Sequence, residues 1–104
     1  MSLAESAEAV LRKPDGYIAP VGPGMNAEAA RLARELRGHD LVIELGDESF
    51  RLKKSFDAAA KLGARNVIIL GENEVKSGMI TVKNQETGEQ TSVPRAELPA
   101  KLKG

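Results

Sequence analysis

The chain has 104 residues and a formal net charge of zero, with 15 basic and 15 acidic residues. This length suits one domain with its own core, and the balanced charge excludes a global attraction to nucleic acid or membrane, so any nucleic-acid contact must use a local patch. The absence of cysteine excludes disulfides and thiolate metal sites. No apolar run approaches the roughly 20 residues of a membrane span, and we expect a cytoplasmic protein without a membrane partner.

The beginning of the chain predicts a linker followed by the first strand of a domain. Residues 1–13 are interpreted as an N-terminal linker or an expression remnant, and residues 4–13 are typical of a marginal helix. The turn at residues 14–16 opens the domain, which we place at residues 14–104. Residues 17–21 then predict the first strand.

Two amphipathic helices follow, separated by a second strand predicted over residues 40–45. Asn26 is the predicted N-cap of the first helix, and Gly38 its end. Ser49 is the predicted cap of the second helix, and Gly63 its C′ residue. The predicted buried faces consist of Ala29, Leu32, Ala33 and Leu36 in the first helix and of Leu52, Phe56, Ala59 and Ala60 in the second.

The remainder of the chain predicts a buried strand and a hairpin. The apolar run at residues 67–70 is typical of a strand buried on both faces. Residues 72–77 predict a short acidic turn or helical loop, and residues 79–83 and 90–93 predict two strands joined by a turn at Thr87-Gly88. A last helix is predicted over residues 95–102, where Pro99 should kink or split it. Helical crossovers between the first three strands predict an α/β fold in which those strands are parallel.

A glycine-rich turn after the first strand gives the first functional candidate. Residues 22–27, Gly-Pro-Gly-Met-Asn-Ala, satisfy the dinucleotide-binding pattern with alanine in the third position, and Glu44 or Asp47 lies near the position of a ribose-binding acid. The sequence predicts too few parallel crossovers for a full dinucleotide domain, and a plain strand-to-helix turn explains the same residues.

The second candidate is a basic set on the second helix, which consists of Arg51, Lys53, Lys54 and Lys61. These side chains could contact an RNA backbone without reading its sequence, or they could form an ordinary solvated helix face.

The third candidate combines Glu72 and Glu74 with Lys83. Carboxylates accept from base amino groups and lysine donates to base carbonyls, whereas the alternative is surface charges at a turn. The single Tyr and two Phe argue against an aromatic stacking platform for single strands. His39 is the only histidine and lacks triad partners, and the carboxylates show no recognisable metal-ligand spacing. We expect no catalytic residue, metal or cofactor.

Between about residues 16 and 102 the chain resembles the C-terminal anticodon-binding domain of class II aminoacyl-tRNA synthetases, and within that group the domain of histidyl-tRNA synthetases. The combination of a Gly-Glu-x-Glu turn, x-Val-Lys and Thr-Gly-Glu-Gln is more specific than any one of these motifs. The matching segments are residues 17–22, 30–37, 52–54, 58–65, 70–75, 78–83 and 87–91.

This resemblance implies a three-layer α/β/α fold around a five-stranded mixed sheet with an antiparallel fourth strand. It also implies docking on the anticodon stem-loop of tRNA-His. The implied RNA base contacts are Glu72, Glu74, Lys83 and Gln90, and the implied RNA backbone contacts are Arg51, Lys53 and Lys54. Asp47 and Glu48 depart from the more neutral or basic loop of relatives and disfavour RNA approach there.

The sequence shows no class II catalytic domain, so we expect no activity from this chain alone. The resemblance implies that such a domain acts in cis, in an enzyme that ligates histidine to tRNA. We expect the isolated domain to be a monomer and the full enzyme a homodimer. The alternative hypothesis is a free-standing protein-interaction or regulatory domain of the same fold that does not bind tRNA.

Overall fold

The computed structural model describes residues 13–103. The predicted linker and its marginal helix lie outside these residues, apart from Lys13. The elements in chain order are β1 (Gly16–Val21), α1 (Met25–Arg37), β2 (Ile43–Leu45), α2 (Leu52–Leu62), β3 (Asn66–Gly71), α3 (Glu72–Ser77), β4 (Met79–Asn84), β5 (Gln90–Pro94), a 3-10 turn (Arg95–Glu97) and α4 (Leu98–Lys103).

The five strands form one mixed sheet in the order β2-β1-β3-β4-β5. The first three strands are parallel, β4 is antiparallel to β3, and β5 is antiparallel to β4. Parallel neighbours are possible because α1 and α2 each carry the chain back across the sheet before the next strand starts. The predicted α/β class and the antiparallel fourth strand are therefore confirmed.

The sheet is covered by helices on both faces, which gives three layers. On one face, Ile68 and Leu70 of β3 pack with side chains of α1 and α4. On the other face, Val67 of β3 packs with Ala59 of α2. Because Val67, Ile68 and Leu70 are fully buried, the prediction of a strand buried on both faces is confirmed.

Neither predicted N-cap is correct, whereas Gly38 and Gly63 end their helices as predicted. The N-cap of α1 is Gly24, whose φ of 79° suits glycine, and Asn26 lies inside the first turn with its side chain bonded to the loop before α2. The N-cap of α2 is Arg51, in extended conformation and without a side-chain capping bond. Ser49 instead donates its backbone N–H to the Asp47 carboxylate.

The second strand and the buried face of α2 also differ from the predictions. Asp40 adopts a left-handed φ of 61°, so the chain is still turning there, and β2 begins at Ile43. The buried residues of α2 are Ser55 and Ala59, whereas Leu52 and Ala60 are exposed. Ala59 is buried as predicted and half-buried Phe56 packs against the same cluster, so the predicted face is wrong only at Leu52 and Ala60.

The C-terminal segment splits into a 3-10 turn and α4, as Pro99 predicts. Pro99 lies in the first turn of α4, where a missing N–H leaves no helical hydrogen bond unmade. Leu98 and Leu102 of α4 are fully buried, so this short helix completes one side of the core. Within the described range, no helix is long and apolar enough to cross a membrane.

Candidate nucleic-acid interface

The predicted RNA contacts lie at two ends of the sheet. Glu72 and Glu74 follow β3 at the carboxyl edge, which we define as the edge where β1, β2 and β3 end. Lys83 pairs with Val67 near the start of β3 and with Gln90 on β5. Val67 precedes Glu72 by about five residues, at about 3.3 Å for each residue of a strand. Lys83 and Gln90 therefore lie roughly 16 Å from Glu72 and Glu74 along the strand direction. The structure therefore does not gather Glu72, Glu74 and Lys83 into one cluster.

The two glutamates of the carboxyl edge have local partners. Glu74 Oε1 accepts the backbone N–H of Gly71 at 2.9 Å, which satisfies a donor at the start of α3. Glu72 forms an ion pair with Lys76 at 3.1 Å, and both side chains are 73% exposed. Exposed i,i+4 pairs contribute only a few tenths of a kcal/mol, about 0.3–0.5. The Glu72 carboxylate is thus available to a ligand, whereas one oxygen of the Glu74 carboxylate already accepts a hydrogen bond at the start of α3.

A polar surface lies on the hairpin beside α2. Ile80 and Val82 point to the α1 side of the sheet and are buried, so the alternate residues of β4 and their β5 partners point to the α2 side. α2 packs on β1 and β3, which leaves much of this hairpin surface exposed. We call it the open hairpin face, and it consists of Met79, Thr81 and Lys83 on β4 with Pro94, Ser92 and Gln90 opposite them on β5.

On the α2 side of the sheet, two lysines lie over phenylalanine rings. Lys83 Nζ is 4.4 Å from the centroid of the Phe56 ring, and Lys54 Nζ is 4.2 Å from that of Phe50. Both distances are within the range of cation–π attraction. The local sequence pattern predicts only a buried helix face for Phe56, because its contact with a distant strand cannot be seen in that pattern.

α2 presents different cations on its two flanks. Phe56 faces the hairpin through its contact with Lys83. Successive helical residues are about 100° apart, so Lys53 lies about 60° from Phe56 and Lys54 about 160° from it. Lys53 is therefore on the hairpin flank, which we define as the side of α2 facing β4. Lys54 is on the opposite flank, where it is near enough to Asp47 to help lower the pKa of that carboxyl.

The start of α2 is a locally unfavourable place for its cations. Arg51, Lys53 and Lys54 surround the helix N-terminus, where the helix dipole disfavours positive charge, and the first turn contains no acidic residue. All three are exposed, and none forms an ion pair among the described residues. A placement that weakens the helix is typical of residues that serve binding.

The loop between β2 and α2 closes on the start of α1. Asn26 donates from its side-chain amide to Asp47 at 3.0 Å, and accepts the Glu48 backbone N–H at 2.8 Å. Asp47 also accepts from the Ser49 side chain and backbone N–H. We call these four residues the acidic clasp. Hydrogen bonds from Ser49 and then from Asn26 hold the pKa of Asp47 below its ordinary value.

The acidic clasp disfavours the dinucleotide-binding interpretation of residues 22–27. The backbone N–H of Asn26, in the first turn of α1, donates to the Glu48 carboxylate at 3.2 Å. A dinucleotide needs the start of this helix for its pyrophosphate. Here two carboxylates already lie against it, so a phosphate would meet negative charge.

The lowered pKa of Asp47 predicts an acid-sensitive clasp. Because the folded-state pKa is depressed, the clasp is fully formed above the ordinary Asp value of about 3.9 and is lost as pH falls through the lower value. Carbon-detected NMR titration of the Asp47 carboxyl should give a midpoint below that value. In Asn26→Ala the midpoint should move upward, since one donor is lost. A wild-type midpoint at or above the ordinary value would contradict the clasp.

Comparison with known proteins identifies the family. A family model described as an anticodon binding domain matches residues 15–104, and the chain belongs to this family. Within it the chain is of the histidyl-tRNA synthetase type. It is 57% identical over 84 residues to the histidine–tRNA ligase of Koribacter versatilis and 39% identical over 80 residues to that of Pyrococcus furiosus. The resemblance drawn from the sequence motifs is confirmed.

Solved structures agree with this assignment. Crystal structures of histidyl-tRNA synthetase from Nostoc sp. PCC 7120 and of the apo enzyme from S. aureus match 88% of this chain at 25% identity, with TM-scores of 0.83 and 0.79. The chain covers 22% and 27% of those two chains. It spans 19% and 18% of the Koribacter and Pyrococcus relatives.

Proposed function

We propose that this chain binds the anticodon stem-loop of tRNA-His and so supports ligation of histidine to that tRNA. The observation that carries the proposal is the open hairpin face, with Lys53 on the hairpin flank of α2 that borders it. A polar sheet surface offers hydrogen bonds to unpaired bases, and neighbouring cations hold the phosphates. Family membership supports the choice of an anticodon loop over other RNA.

The proposed contacts divide by chemistry and by place. Lys83 donates to base carbonyls, and the Gln90 amide both donates and accepts, so together they can read a base edge. Lys53 contacts the backbone along the hairpin flank. At the carboxyl edge Glu72, Glu74 and Arg51 would meet a different part of the loop. Lys54, on the opposite flank, is the least favourably placed of the backbone contacts implied by the resemblance.

The rest of the proposal concerns the enzyme to which such a domain contributes. We propose that a class II catalytic domain acts in cis and carries out the ligation, in a cytoplasmic homodimer. The neutral net charge of the chain favours weak binding by the domain itself, because phosphate neutralisation supplies much of RNA affinity. The catalytic domain would then add both chemistry and affinity.

NMR titration of the 104-residue chain tests the RNA part of this proposal, since shift changes detect even weak binding. We expect amide shifts at Lys83, Gln90 and Lys53 with the tRNA-His anticodon stem-loop, smaller shifts with a scrambled loop, and weaker binding at about 200 than at about 50 mM salt. Equal shifts with both loops would contradict base recognition. No shift with either would contradict RNA binding and favour the free-standing interaction domain.

A further inference from the structure

We propose that Phe56 is a positioning residue for the RNA surface, and that its ring holds the Lys83 ammonium at the border between α2 and the open hairpin face. This inference rests on the proposed function and names a residue that the sequence motifs do not assign to RNA binding. Its consequence is that base recognition depends on an aromatic ring that itself need not touch the RNA.

The contacts of Phe56 support two separate roles for its side chain. On one side it packs against the buried cluster that includes Ala59 and Val67. On another side its ring face lies 4.4 Å from Lys83 Nζ. A branched aliphatic side chain could supply the packing, but only an aromatic ring supplies the electrostatic attraction for the ammonium.

The position of Lys83 explains why it needs such support. Lysine is a flexible side chain that ordinarily extends its ammonium into water, and its ordering has an entropic cost. Lys83 is half-buried in the sheet and stands directly opposite Gln90. The ring therefore fixes the Lys83 ammonium where α2 borders the open hairpin face, and Phe56, Lys83 and Gln90 follow one another from α2 to the outer strand.

The chain contains a matched control for this arrangement. Phe50 and Lys54 form the second ring–ammonium pair, at 4.2 Å, and Phe50 is also half-buried. Lys54 lies on the opposite flank of α2. Loss of either ring removes the same kind of interaction, but only one of them supports the open hairpin face.

The experiment compares Phe56→Leu, Phe56→Tyr and Phe50→Leu for binding of the tRNA-His anticodon stem-loop. Phe56→Leu should weaken binding roughly three- to tenfold, in line with the strength of cation–π pairs. Phe56→Tyr, which keeps a ring, should restore it, and Phe50→Leu should leave it unchanged. Wild-type binding by Phe56→Leu, or equal loss in Phe50→Leu, would overturn the proposal.

A double-mutant cycle shows whether Phe56 acts through Lys83. Lys83→Met should weaken binding, and Phe56→Leu added to it should cause no further loss. Additive losses, or wild-type affinity in Lys83→Met, would overturn the proposal even if Phe56→Leu fails to fold.

The ring–ammonium contact can also be measured without RNA. The ε-methylene protons of Lys83 should show an upfield ring-current shift in the wild type that disappears in Phe56→Leu, and its absence from the wild type would overturn the positioning role. A wild-type chain that shows this shift but does not bind either RNA would instead fail the proposed function, and the RNA role of Phe56 with it.

Discussion

Leu98→Ala should lower the free energy of unfolding by about 2–5 kcal/mol, the usual cost of removing a fully buried leucine side chain. Leu98 is 0% exposed and belongs to the larger core cluster with residues of the sheet and α1. The truncation leaves a cavity among the buried side chains of the sheet and α1 that pack with Leu98. For a domain of this size the loss corresponds to a fall in Tm of roughly 10–30 °C.

Leu62→Ala is the matched control for this change. Leu62 is also a helical leucine, but it is 45% exposed, so its truncation should cost well under about 1 kcal/mol. Urea unfolding of both variants, followed by circular dichroism, gives the comparison. Similar small losses in the two would mean that α4 does not complete the core.

The order of strands and helices could be predicted because local patterns determine it. The run at residues 67–70 is apolar throughout, as a strand covered on both faces requires. Alternation of apolar Ile80 and Val82 with polar Thr81 and Lys83 indicates a strand with one exposed face. The glycines at 63 and 88 adopt positive φ, as their places after a helix and in a hairpin turn predict.

The N-cap of α1 could not be predicted because the partners of Asn26 are distant in sequence. Asn26 has the chemistry of an N-cap, but its side chain bonds to a loop more than twenty residues away. Glycine at position 24 takes the cap because the chain leaves β1 with a left-handed backbone. Tertiary hydrogen bonds therefore decide the place of Asn26, whereas Ser49 bonds to Asp47 two residues before it and leaves Arg51 at the start of α2.

The division of the candidate site also depends on topology. Glu72 and Lys83 are near neighbours in sequence, which favoured one cluster. β4 starts at the carboxyl edge and runs antiparallel to β3, so each further residue of β4 carries the chain away from Glu72. The predicted hairpin already places Lys83 opposite Gln90, and the observed register confirms that pairing.

Charge reversal of Lys53 and of Lys54, one at a time, should show which flank of α2 contacts the RNA. Lys53→Glu should weaken binding of the anticodon stem-loop roughly three- to tenfold and reduce the slope of its salt dependence by about 1, as loss of a phosphate contact does. Lys54→Glu should change binding by less than about twofold. An α-helix is about 10 Å across, close to the Debye length at 0.1 M salt, so a charge on the opposite flank is largely screened.

The comparison is well controlled because the two variants change net charge equally, and both lysines are exposed. Neither variant should bind less through unfolding, since α2 has no acidic residue in its first turn. A glutamate there should stabilise the helix by about 0.3–1 kcal/mol, which in Lys53→Glu offsets an i,i+4 repulsion with Asp57 of about 0.2–0.5 kcal/mol. Equal losses in the two would mean that net charge alone drives binding. A larger loss in Lys54→Glu would move the RNA to the flank of the acidic clasp. A loss of binding confined to Lys53→Glu would place the RNA phosphates along the hairpin flank of α2, within reach of Lys83 and Gln90.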